Sequence, residues 1–193
     1  IYSAVYKGEI QGQSLAIDVD VFTNEGKSTK DGEKGELVVK QPFPSMPIKF
    51  WGDENGEKYH KAYFTKFKNI WHHGDFIERT VNNGFIMRGR SDATLNPGGV
   101  RIGTSEIYQQ VEDIDFINEG LVVGQDYKND IRIVLFVTTK NNKELNDEKI
   151  KFIKTRIRKN CSPKHVPSLI IKAPEIPRTK SGKIVELAVK KII

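Results

Sequence analysis

Three stretches of this 193-residue chain gather side chains able to act on an anionic substrate. In PRTKSGK, residues 177–183, Lys183 stands in a polar turn just ahead of a helical pattern. Its flexible ammonium can reach a phosphate or a carboxylate, or can simply be solvated, and the stretch alone leaves both readings open. It is not a nucleotide-binding phosphate loop: the pattern G-x-x-x-x-G-K-[ST] would need glycine at Pro177 and a hydroxyl residue at Ile184. In HGDF, residues 73–76, Asp75 follows Gly74 and precedes an apolar strand start. A carboxylate there can accept both hydroxyl hydrogens of a ribose, or it can cap a turn. The third stretch, RGRSDATLNPGGVRIG over residues 88–103, packs four glycines and three arginines around the one carboxylate of Asp92. It is too glycine-rich for a helix and too charged for a buried strand, and it falls where two units are expected to join.

Other chemistries find little support. His72 and His73 are adjacent in a strand-like run, which sends their side chains to opposite faces. No helical histidine pair brackets a glutamate, so no protein-built metal site is expected. The absence of a Gly-x-Ser-x-Gly elbow argues against a serine hydrolase. Cys161 is the only cysteine, which excludes an internal disulfide or a cysteine zinc cluster and fits a reducing cytoplasm. The net charge of +6 suits a nucleotide-like ligand and equally an ordinary solvated surface. With 37% hydrophobic and 29% charged residues the chain reads as globular, one large domain or two small ones. No apolar run approaches the roughly 20 residues of a membrane span. The start, IYSAVYKGEIQGQ, lacks both the features of a signal peptide and an initiator Met, so a piece of a longer protein is expected.

The elements that must position these stretches change character near residue 92. Before it, SLAIDVDVF alternates with Leu15, Ile17, Val19 and Val21 on one face, TNEGK is a turn, and GELVVK reads as the pairing strand. QPFPSMPIKFW, with its prolines, is expected to be irregular. KYHKAYFTKF suggests a short helix, and WHHGDFIERT and GFIMRGR two strands joined by an NNG turn. After it, TSEIYQQVEDI reads as a helix capped by Thr104 or Ser105, with Ile107, Val111 and Ile114 turned inward. EGLVVGQ and IRIVLFVTT are buried strands by their continuous apolar runs. NDEKIKFIKTRIRKN is a helix capped by Asn146 or Asp147. Its apolar stripe is Ile150, Ile153 and Ile157, and beside it runs a basic one of Lys151, Lys154 and Arg158. PSLIIKAPEIP is a further strand and KIVELAVKKII a helix. The expected fold is α+β, with a β-rich unit over residues 1–91 and a mixed unit over 92–193.

WHHGDF, GRSDATLNPGGVRIGTSEIYQQVE and PRTKSGK together resemble, in order and spacing, the adenylate-forming superfamily of acyl-CoA synthetases, luciferases and peptide-synthetase adenylation domains. VYKGEIQ, PFPSMPIKFWGDENGEKYHKAYF and GKIVELAVKKII further resemble its acetoacetate-activating branch, so the likeness runs from about Val5 to Ile193. The resemblance implies that residues 1–91 are the C-terminal part of the large AMP-binding domain, and residues 92–193 the small mobile lid. It implies acetoacetate, ATP and coenzyme A as substrates, with Mg2+ held mainly by residues outside this chain. By position, Asp75 would hold the ribose hydroxyls of ATP or the adenylate. Arg90 would lie close to ribose and phosphate, Asp92 would be the hinge, and Arg101 would contact a phosphate. Gly98 and Gly99 would line the pantetheine tunnel, and Arg158 would meet the nucleotide end of coenzyme A. Lys183 would bridge the carboxylate and the α-phosphate during adenylation. The chemistry is consistent with these roles. AMP transfer to a carboxylate brings two anions together, so a cation aimed at both stabilises the transition state. A thiol tunnel benefits from bare glycine backbone, and a hinge from few clashing side chains.

Two departures stand out: Ala93 occupies a place where many relatives carry a second Asp, and the NPGG run differs from the acetyl-specific pattern. The superfamily's phosphate loop, its adenine and magnesium segment and its acyl pocket would lie upstream of residue 1, so this chain alone is not expected to be an active ligase. A synthetase for another short acid, or a truncated non-catalytic remnant, fits the same residues. A nucleic-acid binder would interleave base-stacking aromatics with Lys and Arg. Here the aromatics cluster between Phe43 and Phe76, away from the basic helix. The expected partners are therefore the small-molecule substrates and the remaining N-terminal part of the same enzyme, with no nucleic acid and no membrane.

Overall fold

Four antiparallel strands, the first three with neighbouring residues buried in pairs, build the first sheet. In the computed structural model, which describes residues 3–193, β1 (Val19–Phe22), β2 (Lys34–Val39), β3 (Trp71–Arg79) and β4 (Phe85–Arg90) lie side by side in sequence order, each antiparallel to the next. The turn after β1 closes through Thr23 N–H to Lys27 O at 2.8 Å, and that between β3 and β4 through Thr80 N–H to Gly84 O at 2.9 Å. Asn83 supplies the left-handed residue of the second turn, with φ 60°. Val21, Val38, Trp71, Phe76 and Ile77 are its buried apolar side chains.

Strand β1 is shorter than its alternation predicts. Ser14–Ala16 form a turn, Ala16 has φ 61°, and Leu15 is 96% exposed. The ladder stops because its partner stops: Lys40 N–H to Asp18 O at 2.9 Å is followed by Pro42, which has no N–H to donate. The charged RGR run closes β4, as the strand reading of GFIMRGR expects, and there Arg88 pairs with Glu78 at 2.6 Å. An edge strand tolerates such charges because one of its sides is open to water.

Between β2 and β3 the proline-rich segment stays irregular and leads into α1 (Glu57–Tyr63). Asp53, buried, accepts the N–H groups of Lys58 at 3.0 Å and Tyr59 at 2.8 Å and so satisfies first-turn donors of that helix. The helix presents Tyr63 to Trp71, stacked at 3.6 Å between ring centroids.

The second unit, Asp92–Ile193, is compact in its own right, as is Ile1–Ser91. Its sheet pairs β5 (Ile117–Tyr127) with β6 (Asp130–Thr139) as a long hairpin, turned at Lys128 and Asn129 with φ 50° and 63°. Strand β7 (Leu169–Lys172) joins β6 in parallel, as it can only after a crossover, here through α3 (Asp147–Asn160). Side chains alternate across the sheet. Val122, Ile133, Leu135 and Val137 face Ile107 and Val111 of α2 (Thr104–Val111) and Ile153 and Ile157 of α3. Leu121, Val123 and Val134 face the opposite way, covered by Ile176, Ile184 and Val189, the last on α4 (Glu186–Ile192).

Asn146 caps α3, its side chain accepting the Lys149 N–H at 3.1 Å. The cap of α2 is Gly103, not Thr104 or Ser105. The Glu106 side chain reaches back to accept the Gly103 N–H at 2.9 Å, which places both hydroxyl residues inside the first turn. No described helix is long and apolar enough to cross a membrane.

Candidate functional site

In the first unit, Asp75 and Arg90 are direct partners across β3 and β4. Gly74, at φ 90°, gives β3 the irregular backbone that precedes Asp75. The carboxylate is about a quarter exposed, with His73 Nε2 at 3.5 Å from Oδ2. Trp71 Nε1–H donates to His73 Nδ1 at 3.2 Å. An indole can only donate, so Nδ1 accepts and neutral His73 carries its proton on Nε2, toward Asp75. The indole thereby orients the imidazole that sits beside the carboxylate. His72 points elsewhere, its Nε2 2.9 Å from Glu36 Oε2.

Glu36 is a feature that the sequence reading missed. It is fully buried on β2 and is reached by Lys66, His72 and the hydroxyl of Ser91. A carboxylate without solvent is costly unless paired, and here cations and donors from three separate segments converge on it. Ser91 is the last residue of the first unit. The only sequence signal was an acidic residue inside the apolar run of GELVVK.

In the second unit, Gly98, Gly99 and Arg101 share one hairpin. Leu95 and Ile102 exchange both backbone hydrogen bonds, at 2.9 and 2.8 Å, and the chain reverses between them. Gly98 (φ 56°) and Gly99 (φ 76°) are both left-handed, a conformation that costs glycine almost nothing. The Gly98 N–H donates to Asp130 Oδ1 at 2.8 Å, and the same oxygen accepts the Ile131 N–H at 2.7 Å. These two donors hold the Asp130 carboxyl below its usual range, and nearby Lys164 adds to the effect. A Cβ at Gly98 would require the Lys164 ammonium to move aside and the left-handed backbone to be strained, whereas one at Gly99 would meet nothing within 4 Å. Arg101 donates from Nε to Thr94 Oγ1 at 3.2 Å. Asp92, exposed, is the first residue of this unit.

Lys183 and Arg158 lie on other elements. Lys183, exposed, ends a tight turn in which Thr179 N–H donates to Lys183 O at 2.8 Å and Lys183 N–H to Thr179 Oγ1 at 3.1 Å. Arg178 braces this turn, donating to Gly182 O at 2.7 Å and pairing with Glu119 at 2.9 Å. Just beyond, Glu186 accepts from the buried Tyr108 hydroxyl, which also accepts the Val122 N–H at 3.1 Å. Burial, with Glu186 close by, pushes the Tyr108 phenol far above its ordinary pKa. Arg158 is exposed on α3 with Lys151, but Lys154 of the same stripe donates to Ser168 O at 3.1 Å. Among the described residues no group of three or more His, Cys, Asp or Glu is placed to hold a metal ion. Asp130, Arg178 and Tyr108 were not picked out from the sequence, because each acts on a partner distant along the chain.

In fold and sequence the chain is similar to adenylate-forming CoA ligases. The benzoate CoA ligase of Burkholderia xenovorans LB400 has the same fold over 97% of this chain, with a TM-score of 0.81 at 24% identity. More particularly, the chain is a homologue of the acetoacetyl-CoA synthetases. It is 56% identical over 189 residues to the acetoacetyl-coenzyme A synthetase of Rhizobium meliloti (strain 1021), matching 98% of this chain and 29% of that protein. The structure of the acetoacetyl-CoA synthetase from Streptomyces lividans matches 97% of this chain and 28% of its own, with a TM-score of 0.90 at 41% identity. The chain thus spans less than a third of the length of these relatives. No protein-family model matches it.

Proposed function

We propose that this chain is part of an AMP-forming acetoacetate–CoA ligase. Such an enzyme joins acetoacetate to ATP, releasing pyrophosphate and forming acetoacetyl-adenylate, and then transfers the acyl group to coenzyme A with release of AMP. The observation that carries this reading is the 56% identity maintained over 98% of the chain. In it, residues 1–91 are the C-terminal part of the large AMP-binding domain and residues 92–193 the small lid, with Asp92 as the hinge. A single cysteine, Cys161, suits a cytoplasmic enzyme.

The residue roles follow from the chemistry of each place. Asp75 accepts the ribose hydroxyls and Arg90, its cross-strand partner, stands close enough to serve the neighbouring phosphate. Lys183, on a turn braced by Arg178, supplies the cation for the two anions that meet in adenylation. Arg101 contacts phosphate, Gly98 and Gly99 give the pantetheine arm a backbone wall without side chains, and Arg158 meets the nucleotide end of coenzyme A. Mg2+ would accompany the ATP phosphates. By the family resemblance it would be held mainly by residues outside this chain.

The test is Lys183→Ala in the longer protein that carries this chain. Acetoacetate-dependent exchange between pyrophosphate and ATP should fall by about 10²–10³, the cost of losing one well-aimed charge-stabilising donor. Thioester formation from supplied acetoacetyl-adenylate should continue near the parent rate. Equal loss in both half-reactions, or a parent protein that adenylates a different acid in preference, would overturn the assignment.

A further inference from the structure

We propose that Asp130 is a positioning residue for the thioester-forming half-reaction, acting through the Gly98–Gly99 turn. The inference rests on the ligase reading and deepens it. The two glycines are not equivalent. Gly98 is fastened: its N–H is held by Asp130 Oδ1 at 2.8 Å, and Lys164 covers the side where a Cβ would stand. Gly99 is open: it has no neighbour within 4 Å on its corresponding side. One residue of the turn therefore attaches it to the body of the second unit, and the next presents bare backbone outward.

The attachment point is itself rigid. Asp130 opens β6, directly after the hairpin turn at Lys128 and Asn129, and the same oxygen that holds Gly98 is fixed by the Ile131 N–H at 2.7 Å. One carboxylate oxygen thus ties the glycine turn to the β5–β6 hairpin of the sheet. Left-handed glycines have several backbone wells of similar energy, so this turn would sample other conformations without such a tether. A thiol approaching along the Gly99 face needs that backbone in one place, because a misplacement of about 1 Å can cost as much as 10²-fold in rate. Adenylation depends on this hairpin only through Arg101, whose guanidinium is held separately by the Thr94 hydroxyl at 3.2 Å. A coenzyme A phosphate drawn to Lys164 would meet it already beside Asp130, which weakens its pull on an anion and leaves Asp130 with a structural task.

The experiment uses the longer ligase with Asp130→Ala and Asp130→Asn. Adenylation is followed by pyrophosphate–ATP exchange, and thioester formation by mixing pre-formed enzyme-bound adenylate with coenzyme A. Asp130→Ala should leave adenylation within about twofold and slow the thioester step about 10-fold, mainly in kcat, because the coenzyme A contacts themselves remain. Asp130→Asn keeps an acceptor oxygen for Gly98 and should recover most of the rate at neutral pH. Its profile should also lose the acid limb that protonation of Asp130 gives the parent. Normal adenylation together with a thioester rate unchanged in Asp130→Ala would overturn this inference alone. Rates in which Asn is as slow as Ala would do the same, since the tether would then not be the acceptor. A parent enzyme that forms no acetoacetyl-adenylate would overturn the ligase reading itself.

Discussion

Replacing Glu36 with alanine should destabilise the first unit while leaving the second nearly untouched. Glu36 has no exposed surface, and Lys66, His72 and Ser91 all direct donors at it. Breaking a fully buried ion pair costs about 3–5 kcal/mol, because the remaining charge is stranded without solvent. Lys66 here keeps 31% of its side chain exposed and His72 16%, so water can partly re-solvate them. The expected loss is therefore smaller, about 2–3 kcal/mol. Glu36→Gln, which retains an acceptor but no charge, should lose roughly half as much. The assay follows from where the tryptophans are. Both of them, Trp51 and Trp71, lie in the first unit, and Trp71 is 5% exposed against Tyr63. Urea unfolding followed by tryptophan fluorescence thus reports that unit selectively. With a slope of about 1.5 kcal/mol per M for a unit of this size, the alanine midpoint should fall by about 1–2 M. A fluorescence midpoint within about 0.2 M of the parent would refute the reasoning, whatever circular dichroism shows.

Acid should weaken the same unit through Asp20. Burial raises its carboxyl pKa, but the Val21 N–H, the Ser28 hydroxyl, Arg79 and Lys40 outweigh burial and hold it below its ordinary 3.8. A carboxyl depressed on folding stabilises above its unfolded pKa, and that stability is lost as pH falls through the folded value. The fluorescence midpoint should therefore drop below about pH 4, less steeply in Asp20→Asn, and parallel curves would count against this account. In the second unit, Tyr108→Phe removes the acceptor for Val122 N–H and the donor to Glu186. It should cost about 1–3 kcal/mol, seen as an earlier circular-dichroism transition with the fluorescence transition unmoved.

What could be read from the sequence depended on how local the cause was. EGLVVGQ, IRIVLFVTT and the Ile150–Ile153–Ile157 stripe became β5, β6 and α3, since their apolar periods outlast any neighbouring signal. Leu15 kept the period but lost its partner strand to Pro42, a cause some 25 residues away along the chain. Thr104 looked like a cap until Glu106 satisfied the Gly103 N–H. The stretches around Asp75, Gly98 and Lys183 stood out by their glycine and charge, but their braces did not. Glu36 meets partners 30, 36 and 55 positions away, and Asp130 meets Gly98 at a separation of 32. Pairings of that range are set by topology, which no window of residues contains.

The segment after β7 does two things at once. Ile176, Ile184 and Val189 seal the Leu121–Val123–Val134 face of the sheet, and between the first two of them hangs the turn that ends in Lys183. During synthesis the hairpin of β5 and β6 leaves the ribosome first, with one greasy face still open. The residues that close it are the same ones that set the lysine in place. A nascent or nicked chain lacking them would therefore lack Lys183 and be sticky together, exposing to chaperones and proteases the very surface that marks it as unfinished. Quality control and the placing of Lys183 would then be read from a single event, the docking of one short stretch of polypeptide.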